Sequence, residues 1–552
     1  MDSEINIKQY DFNEELGHTL EKDSASDRIM WATNWPTVYI LNNKKKAYIG
    51  ETVNVINRLK QHSNKLENNK LTTVNILIDN KSNKSFTLDV ESLLIRYMSA
   101  DKKFELLNGN MGLVNSNYFN RDSYRSKFKE DIWPKLRKLG VVNRDLLEIE
   151  NDNLFKYSPY TALNSEQYDV IEKIRTSLSN GKDSEFNILI NGSPGTGKTL
   201  LGIHLMKLLK SKPENYLDDE IFGTISDIQQ YNKKIALVIP QSSLRETLKK
   251  VFDNVSNLNS NMVISPHEAA KSKYDLLIID EAHRLRRRKS LTNYGHFDKN
   301  NEKLGFDKEE GTELDWIIKQ SKRQIFFYDE DQSVKPTDVR SEEFRSKVSK
   351  QKHFEIHLTS QFRVLAGKDY ISYVKNILNV KQTEKKSFGS YDLKLFDSFK
   401  EMRDEILAKE KEFGLCRVVA GYGWDWKSKK DFSKYDIEIE GIKLRWNSTA
   451  LDWSTHENAL YEVGCIHTIQ GYDLNYTGVI FGPEISFDKE KQKIVVKKEN
   501  YYDIKGKSGI KTQKELENYI KNIYSVLMTR GIKGTYVYVV DEDLREYLRK
   551  FI

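Results

Sequence analysis

Residues Gly192-Ser-Pro-Gly-Thr-Gly-Lys-Thr199 stand between an apolar, β-prone run, Phe186-Asn-Ile-Leu-Ile190, and a helical pattern that runs from Leu200 to Lys210. A strand that ends in a Gly-rich turn and opens directly into a helix is the setting of a phosphate-binding P-loop. Glycines allow successive backbone N–H groups to curl around an anion, and the helix N-terminus adds the positive end of its dipole. Gly192, Gly195, Thr196 and Gly197 are therefore expected to form the cradle. Lys198 is expected to meet the β- and γ-phosphates of ATP, and the Thr199 hydroxyl to hold Mg²⁺. This one segment commits its surroundings to an α/β fold, because strand–loop–helix units build parallel sheets covered by helices.

The run Leu276-Leu-Ile-Ile-Asp-Glu-Ala-His283 supplies the next part of such a site. Four apolar residues predict a buried strand whose C-terminal end delivers two adjacent carboxylates. Asp280 is expected to bind the Mg²⁺, and Glu281 to orient and deprotonate the attacking water. Similar strand-like runs recur at 234–241, 323–329, 416–421, 476–482 and 534–541, separated by longer helical patterns. Near-continuous apolar strands of this kind indicate parallel sheets buried on both faces, here two sheets divided near 345–355.

The remaining composition narrows the class. A chain of 552 residues exceeds one core. No stretch approaches the roughly 20 apolar residues of a membrane span. The acidic, polar N-terminus has neither signal-peptide nor transit-peptide character. Cys416 and Cys465 are the two cysteines, both in apolar runs, so a buried inert thiol is expected at each and a Cys-based zinc site is excluded. These features point to a cytoplasmic protein. The net charge of +7 is compatible with a nucleic-acid partner without requiring one, and the basic run Arg284–Lys289 is either part of such a surface or a solvated face.

The order of segments resembles a superfamily 1 helicase-type motor, most closely the Schlafen-group-3-like helicase domain of bacterial proteins, over roughly 158–545. Leu163-Asn-Ser-Glu-Gln167 is similar to the adenine-reading Q motif, which implies Gln167 as the base contact. Phe326-Phe-Tyr-Asp-Glu-Asp-Gln332 resembles motif III, with Gln332 as the γ-phosphate sensor, and Tyr328 and Glu330 stand where glycine and proline are frequent. Leu358-Thr-Ser-Gln-Phe-Arg363 resembles motif IV, making Arg363 a γ-phosphate contact. Ile466-His-Thr-Ile-Gln-Gly471 with Val479-Ile-Phe-Gly482 resembles motif V, and Tyr524-Ser-Val-Leu-Met-Thr-Arg530 resembles motif VI, with Arg530 as the arginine finger. Ala420-Gly-Tyr-Gly-Trp-Asp-Trp426 also resembles that family. The resemblance implies two RecA-like lobes that close on ATP between them.

A second resemblance precedes the first. Thr37-Val-Tyr39 and Tyr48-Ile-Gly50 flank a turn-like segment, and Arg58 and His62 follow four residues apart, on one helix face. Further on come Asp89-Val-Glu-Ser-Leu-Leu-Ile95 and Leu106-Leu-Asn108. The pattern is similar to the GIY-YIG nuclease domain, although Thr37 replaces the leading glycine and the spacer 40–47 is short. That family implies a small α+β fold in which Glu91 holds one Mg²⁺ or Mn²⁺, Arg58 stabilises phosphoryl charge, and Tyr39, assisted by His62 or a water, positions or deprotonates the nucleophilic water. Tyr48 lines the site and Asn108 ends the core.

The expected organisation is an arm or packing extension at 1–30, the GIY-YIG-like domain at 31–115, a connector at 116–157, and RecA-like lobes at 158–350 and 351–552. Polar inserts at about 211–233, 285–313 and 485–512 are expected as surface loops, with substrate guidance or partner binding as the alternatives. The functional expectation is an ATP-dependent nucleic-acid motor fused to an endonuclease, with DNA favoured over RNA and a role in restricting foreign DNA such as phage genomes. The alternatives are an ATP-gated switch without translocation, a binding module that does not cut, and an RNA-directed enzyme.

Overall fold

The computed structural model describes residues 5–27, 29–65, 70–108, 118–180, 185–193, 195–211, 234–289, 291, 293–329, 337–360, 364–449, 453–469, 472–507 and 510–552. It divides into two compact units. One is Met1–Lys182, Leu200–Asn232 and Lys249–Ser260; the other is Asp183–Thr199, Lys233–Leu248 and Asn261–Ile552.

In the first unit a five-stranded sheet contains β1 (Asn6–Asp11), β2 (Thr37–Asn42), β3 (Lys46–Thr52), β4 (Thr73–Ile78) and β5 (Glu105–Leu106) in the order β1-β4-β2-β3-β5. β2 and β3 form an antiparallel hairpin in which Tyr39 faces Gly50. The segment 1–30 contributes the edge strand β1, antiparallel to β4, and the helix Leu16–Ala25. The strand sequence NIKQYD is mostly exposed or half-buried, as suits an edge, so it carries no strong alternation. Leu16 and Leu20 join Trp31, Tyr39, Leu41 and Val74 in this unit's core. Downstream, the helix Lys84–Asp101 packs on short helices drawn from 121–156, whose Phe128, Trp133 and Phe155 surround Tyr97.

The second unit holds two mainly parallel sheets. The first consists of β6 (Phe186–Gly192), β7 (Ile235–Val238), β8 (Val263–Ile264), β9 (Tyr274–Ile279), β10 (Ser321–Tyr328) and β11 (His353–Leu358), in the order β11-β6-β10-β9-β7-β8. Every pairing in it is parallel. β11 is an edge strand of this sheet and carries it beyond residue 350.

The second sheet contains β12 (Asp392–Phe396), β13 (Cys416–Ala420), β14 (Ile437–Ile439), β15 (Ile442–Trp446), β16 (Glu462–Cys465), β17 (Leu474–Phe481) and, beyond a ribbon, β20 (Gly531–Val539). Its order is β12-β20-β17-β13-β16-β15-β14, parallel except for the β14–β15 hairpin. The ribbon is β18 (Ile485–Asp488) with β19 (Lys493–Val496).

Two of the polar inserts are ordered by burial. Phe297 and Leu304, on or beside the helix Tyr294–Lys303, pack against Trp316, and Ile494 and Val496 of the ribbon join the core of the second sheet. The third lies almost wholly outside the described residues. Among the described residues no helix is long and apolar enough to cross a membrane. Cys416 and Cys465 are both buried and unbridged.

Candidate functional sites

β6 ends at Gly192 and the chain enters the helix Lys198–Lys210 through a turn in which Gly195 and Gly197 have φ of 83° and 81°. Those left-handed values are open to glycine at little cost, which is why the turn is built of it. Lys198 is almost fully buried. Its ammonium donates to the carbonyls of Gly192 and Ser193 and lies 3.5 Å from Asp329, just beyond β10.

The parallel order β10-β9 brings the end of β9 alongside this turn, and the Thr199 hydroxyl donates to Asp280 Oδ2 at 2.7 Å. Asp280 Oδ1 is buried without a hydrogen-bond partner among the described residues. An orphaned carboxylate oxygen beside a threonine hydroxyl is an all-oxygen donor set, which fits a hard divalent cation such as Mg²⁺.

Glu281 takes a left-handed backbone (φ 51°), which swings its carboxylate to 3.1 Å from His283 Nε2 and 3.5 Å from Arg284 Nε. Burial works against ionisation of Glu281, but His283, Arg284 and Lys198 outweigh it and hold the carboxyl well below its usual range. Asp280 is pushed the other way, by burial and by the adjacent Glu281 charge. Neighbouring carboxylates thus lie in opposite electrostatic settings.

Gln332 and Arg363 lie outside the described residues. Arg530 is buried in the second sheet's surroundings, where its guanidinium donates to the Tyr472 carbonyl at 3.5 Å. Gln167 is buried in the first unit, where it and Asn164 exchange side-chain-to-backbone hydrogen bonds at the start of the helix Ser165–Asn180. Asp329 closes the apolar run of β10 as Asp280 closes that of β9, and this shared pattern is its signal in the sequence.

The second unit contains a cavity of about 850 Å³ whose wall includes Arg245, Arg284, Arg286, Tyr422, Trp426 and His467. His467 Nε2 lies 2.8 Å from Asp503 Oδ2 across part of that wall.

In the first unit, Tyr39, Tyr48 and His62 form a buried cluster, with Tyr39 Oη and His62 Nε2 at 2.7 Å. Gly50 is required opposite Tyr39, since a Cβ there would lie 2.3 Å from the Tyr39 hydroxyl. Burial raises both phenols, and the nearby Arg58 partly offsets this. Glu91, on the helix Lys84–Asp101, is buried. Its carboxyl is pushed up to about 8 by burial and then by the Glu51 charge, with Lys84 pulling the other way.

Glu51 directly follows Gly50, accepts from Lys84 and, at 3.3 Å, from the Thr87 hydroxyl, and was not counted in the expected site. Its position immediately after Tyr48-Ile-Gly50 was the available signal. Among the described residues no group of three or more His, Cys, Asp or Glu is arranged for a metal. Glu91 and Glu51 offer oxygen donors of the kind a hard cation takes, with Lys84 now paired to Glu51 and water needed to complete such a site. Asn108 is used differently: its amide pairs with both backbone groups of Ile49, at 3.0 and 2.7 Å, and so fixes β3 between Tyr48 and Gly50.

A Gly-rich turn opening a helix, with a threonine hydroxyl bonded to the acidic end of a parallel strand one removed in the same sheet, defines a P-loop NTPase. Residues 186–541 match the family model for the Schlafen group 3 DNA/RNA helicase domain, and the chain belongs to that family. Among curated proteins it is 27% identical over 437 residues to the uncharacterized protein YPL245W of Saccharomyces cerevisiae, covering 70% of this chain and 90% of that one. Among solved structures, the arterivirus nonstructural protein 10 helicase aligns at 13% identity and TM-score 0.28, over 68% of this chain. The chain spans 64% of the length of that helicase. The Pif1 helicase from Bacteroides aligns at 12% identity and TM-score 0.24, over 68% of this chain and 92% of that one.

Proposed function

We propose that the chain is an ATP-hydrolysing nucleic-acid motor of helicase type that carries a metal-dependent nuclease site in its first unit. The observation that carries the motor is the cluster of Lys198, Thr199, Asp280, Glu281 and Asp329 within a chain of this helicase family. Lys198 leaves its carbonyl partners to meet the β- and γ-phosphates. Thr199 and Asp280 hold Mg²⁺, which when bound supplies charge neutralisation across the phosphates. Glu281, kept ionised by His283 and Arg284, orients the attacking water and accepts its proton. Gln332, Arg363 and Arg530 are assigned to phosphate sensing and transition-state charge by their motif positions, and Gln167 to the adenine.

The nuclease reading rests on the Tyr39–His62 contact with Arg58 and Glu91 close by. Glu91 holds the divalent cation, which when bound polarises the phosphodiester. His62 takes the proton that Tyr39 relays from the attacking water, and Arg58 faces the charge that develops on the phosphoryl oxygens. Asn108 acts as a positioning residue through the backbone of Ile49. DNA is the substrate assigned first, and RNA is the competing arm of the test.

One experiment examines both readings. Wild type, Lys198→Ala and Glu91→Ala are incubated with single- and double-stranded DNA and RNA, with and without ATP, in Mg²⁺ or Mn²⁺. Wild-type ATP turnover is expected to rise with nucleic acid and to fall at least about 100-fold in Lys198→Ala. Cleavage is expected to vanish in Glu91→Ala while ATP turnover stays. Turnover indifferent to every nucleic acid sinks the motor, and unchanged cutting by Glu91→Ala sinks the nuclease.

A further inference from the structure

The segment Lys427–Tyr435, which follows the tryptophan-rich turn after β13, alternates cations and aromatics in the sequence KSKKDFSKY. Its base is fixed. The buried Asp436 accepts from the Ser428 backbone and hydroxyl at 2.7 and 2.5 Å, and from the Trp446 backbone at 2.8 Å. These three bonds clamp the loop against the β14–β15 hairpin and turn its middle outward. Phe432 and Tyr435 stand 56% and 45% exposed, unusual for rings that a core would take. Arg445 of β15 holds both, its guanidinium 4.5 Å from the Phe432 ring centroid and 4.4 Å from that of Tyr435, while its Nε donates to the Lys434 carbonyl.

The two rings are therefore held in place by one cation rather than by a core. Around them, Lys427, Lys429 and Lys430 are exposed and make no ion pair among the described residues. Lys429 lies over the Trp426 ring, and both residues also line the 850 Å³ cavity. The surface is thus continuous with a wall that carries Arg245, Arg284 and Arg286.

We propose that Phe432, Tyr435 and Arg445, flanked by Lys429 and Lys430, form a stacking platform that receives unpaired bases of a single-stranded nucleic acid leading to or from that cavity. Exposed aromatic rings interleaved with cations match this ligand. Bases of any sequence stack on a ring face, and lysines neutralise the backbone phosphates beside them. A protein partner fits less well, since lysine is depleted from protein–protein interfaces. A duplex fits less well too, because its bases are already stacked on one another. The proposal rests on the nucleic-acid reading above and deepens it by naming the form of the substrate and a place of contact.

The test measures binding by the full-length protein, through anisotropy of fluorescein-labelled (dT)20, (rU)20 and a 20-base-pair DNA duplex over a salt series. Removing one stacked base contact weakens binding by about 5- to 150-fold. Phe432→Ala with Tyr435→Ala is therefore expected to lose at least about tenfold on single strands and far less on the duplex. Phe432→Trp with Tyr435→Phe, which keeps both rings, is expected to restore binding and so separates lost stacking from a disturbed loop. Lys429→Ala with Lys430→Ala is expected to flatten the salt dependence, by about 0.7 in the log–log slope per lysine.

The ratio of the two single-strand losses shows whether the platform prefers DNA or RNA. Wild type that binds single strands while the double alanine variant binds them equally well overturns the platform and leaves the motor reading standing. Equal losses on single strands and duplex overturn the single-strand assignment. Wild type that binds none of the three overturns the motor reading and the platform with it.

Discussion

At the residue scale, Glu484 is a tightly enclosed carboxylate away from the P-loop. It is fully buried after β17. Its Oε1 accepts from the Tyr524 hydroxyl, and Oε2 has no hydrogen-bond partner among the described residues. Backbone crowds it so closely that a Cβ on Gly421 or Gly423 would lie 2.3 or 2.1 Å from a carboxylate oxygen, which accounts for both glycines ahead of Trp424. Burial pushes the carboxyl from 4.5 to about 7, against the Tyr524 hydrogen bond. A carboxyl raised in the fold adds stability that is complete below its unfolded value and is lost as pH climbs through the folded one. Between pH 4.5 and just above 7, wild type should therefore lose up to about 3 kcal/mol relative to Glu484→Gln, which cannot titrate. Thermal melts of both proteins across that range check the sign. A difference that stays flat with pH would mean that Glu484 ionises in the fold without cost.

At the scale of elements, the helix Gln513–Met528 joins the core of the second sheet to Arg530, two residues beyond its end. Leu516, Ile520, Ile523, Tyr524 and Leu527 are buried on it. Its start is fixed by a capping box: the Thr512 hydroxyl accepts from the Glu515 backbone at 3.2 Å while the Glu515 carboxylate returns to the Thr512 backbone. Replacing Thr512 by Ala should cost about 1 kcal/mol, seen as a lower urea midpoint for the unit that holds this helix. Unchanged melting would show that packing alone sets the helix start. The strands around the P-loop were legible because runs such as Leu276–Ile279 are apolar throughout and end in charge. The edge strand β1 was not legible, because most of its residues face water or lie half-buried. The β18–β19 ribbon has the sequence pattern of a loop, since it is two short strands embedded in a lysine-rich stretch.

At the scale of the whole molecule, the cluster of Lys198, Thr199, Asp280 and Glu281 lies in the second unit and the cluster of Tyr39, Tyr48 and His62 in the first. The sequence by itself determined the local parts: a Gly-rich turn between a strand and a helix, two carboxylates at a strand end, and two tyrosines on a hairpin with Arg58 and His62 one helical turn apart. These are readable because backbone geometry and side-chain spacing within a few residues settle them. Only the tertiary structure decided which parts meet. Thr199 reaches Asp280 because β9 and β6 both flank β10, an order that follows from the crossover connections and not from neighbourhood in the chain. Glu51 comes to bear on Glu91 because the helix Lys84–Asp101 packs against β3, and no periodicity in either segment records that encounter. The P-loop therefore announced itself in eight consecutive residues, whereas the approach of Glu51 to Glu91 and the seating of Phe432 and Tyr435 on Arg445 depended on contacts between segments. Such contacts are fixed by how apolar faces close on one another, which a linear pattern specifies only in sum.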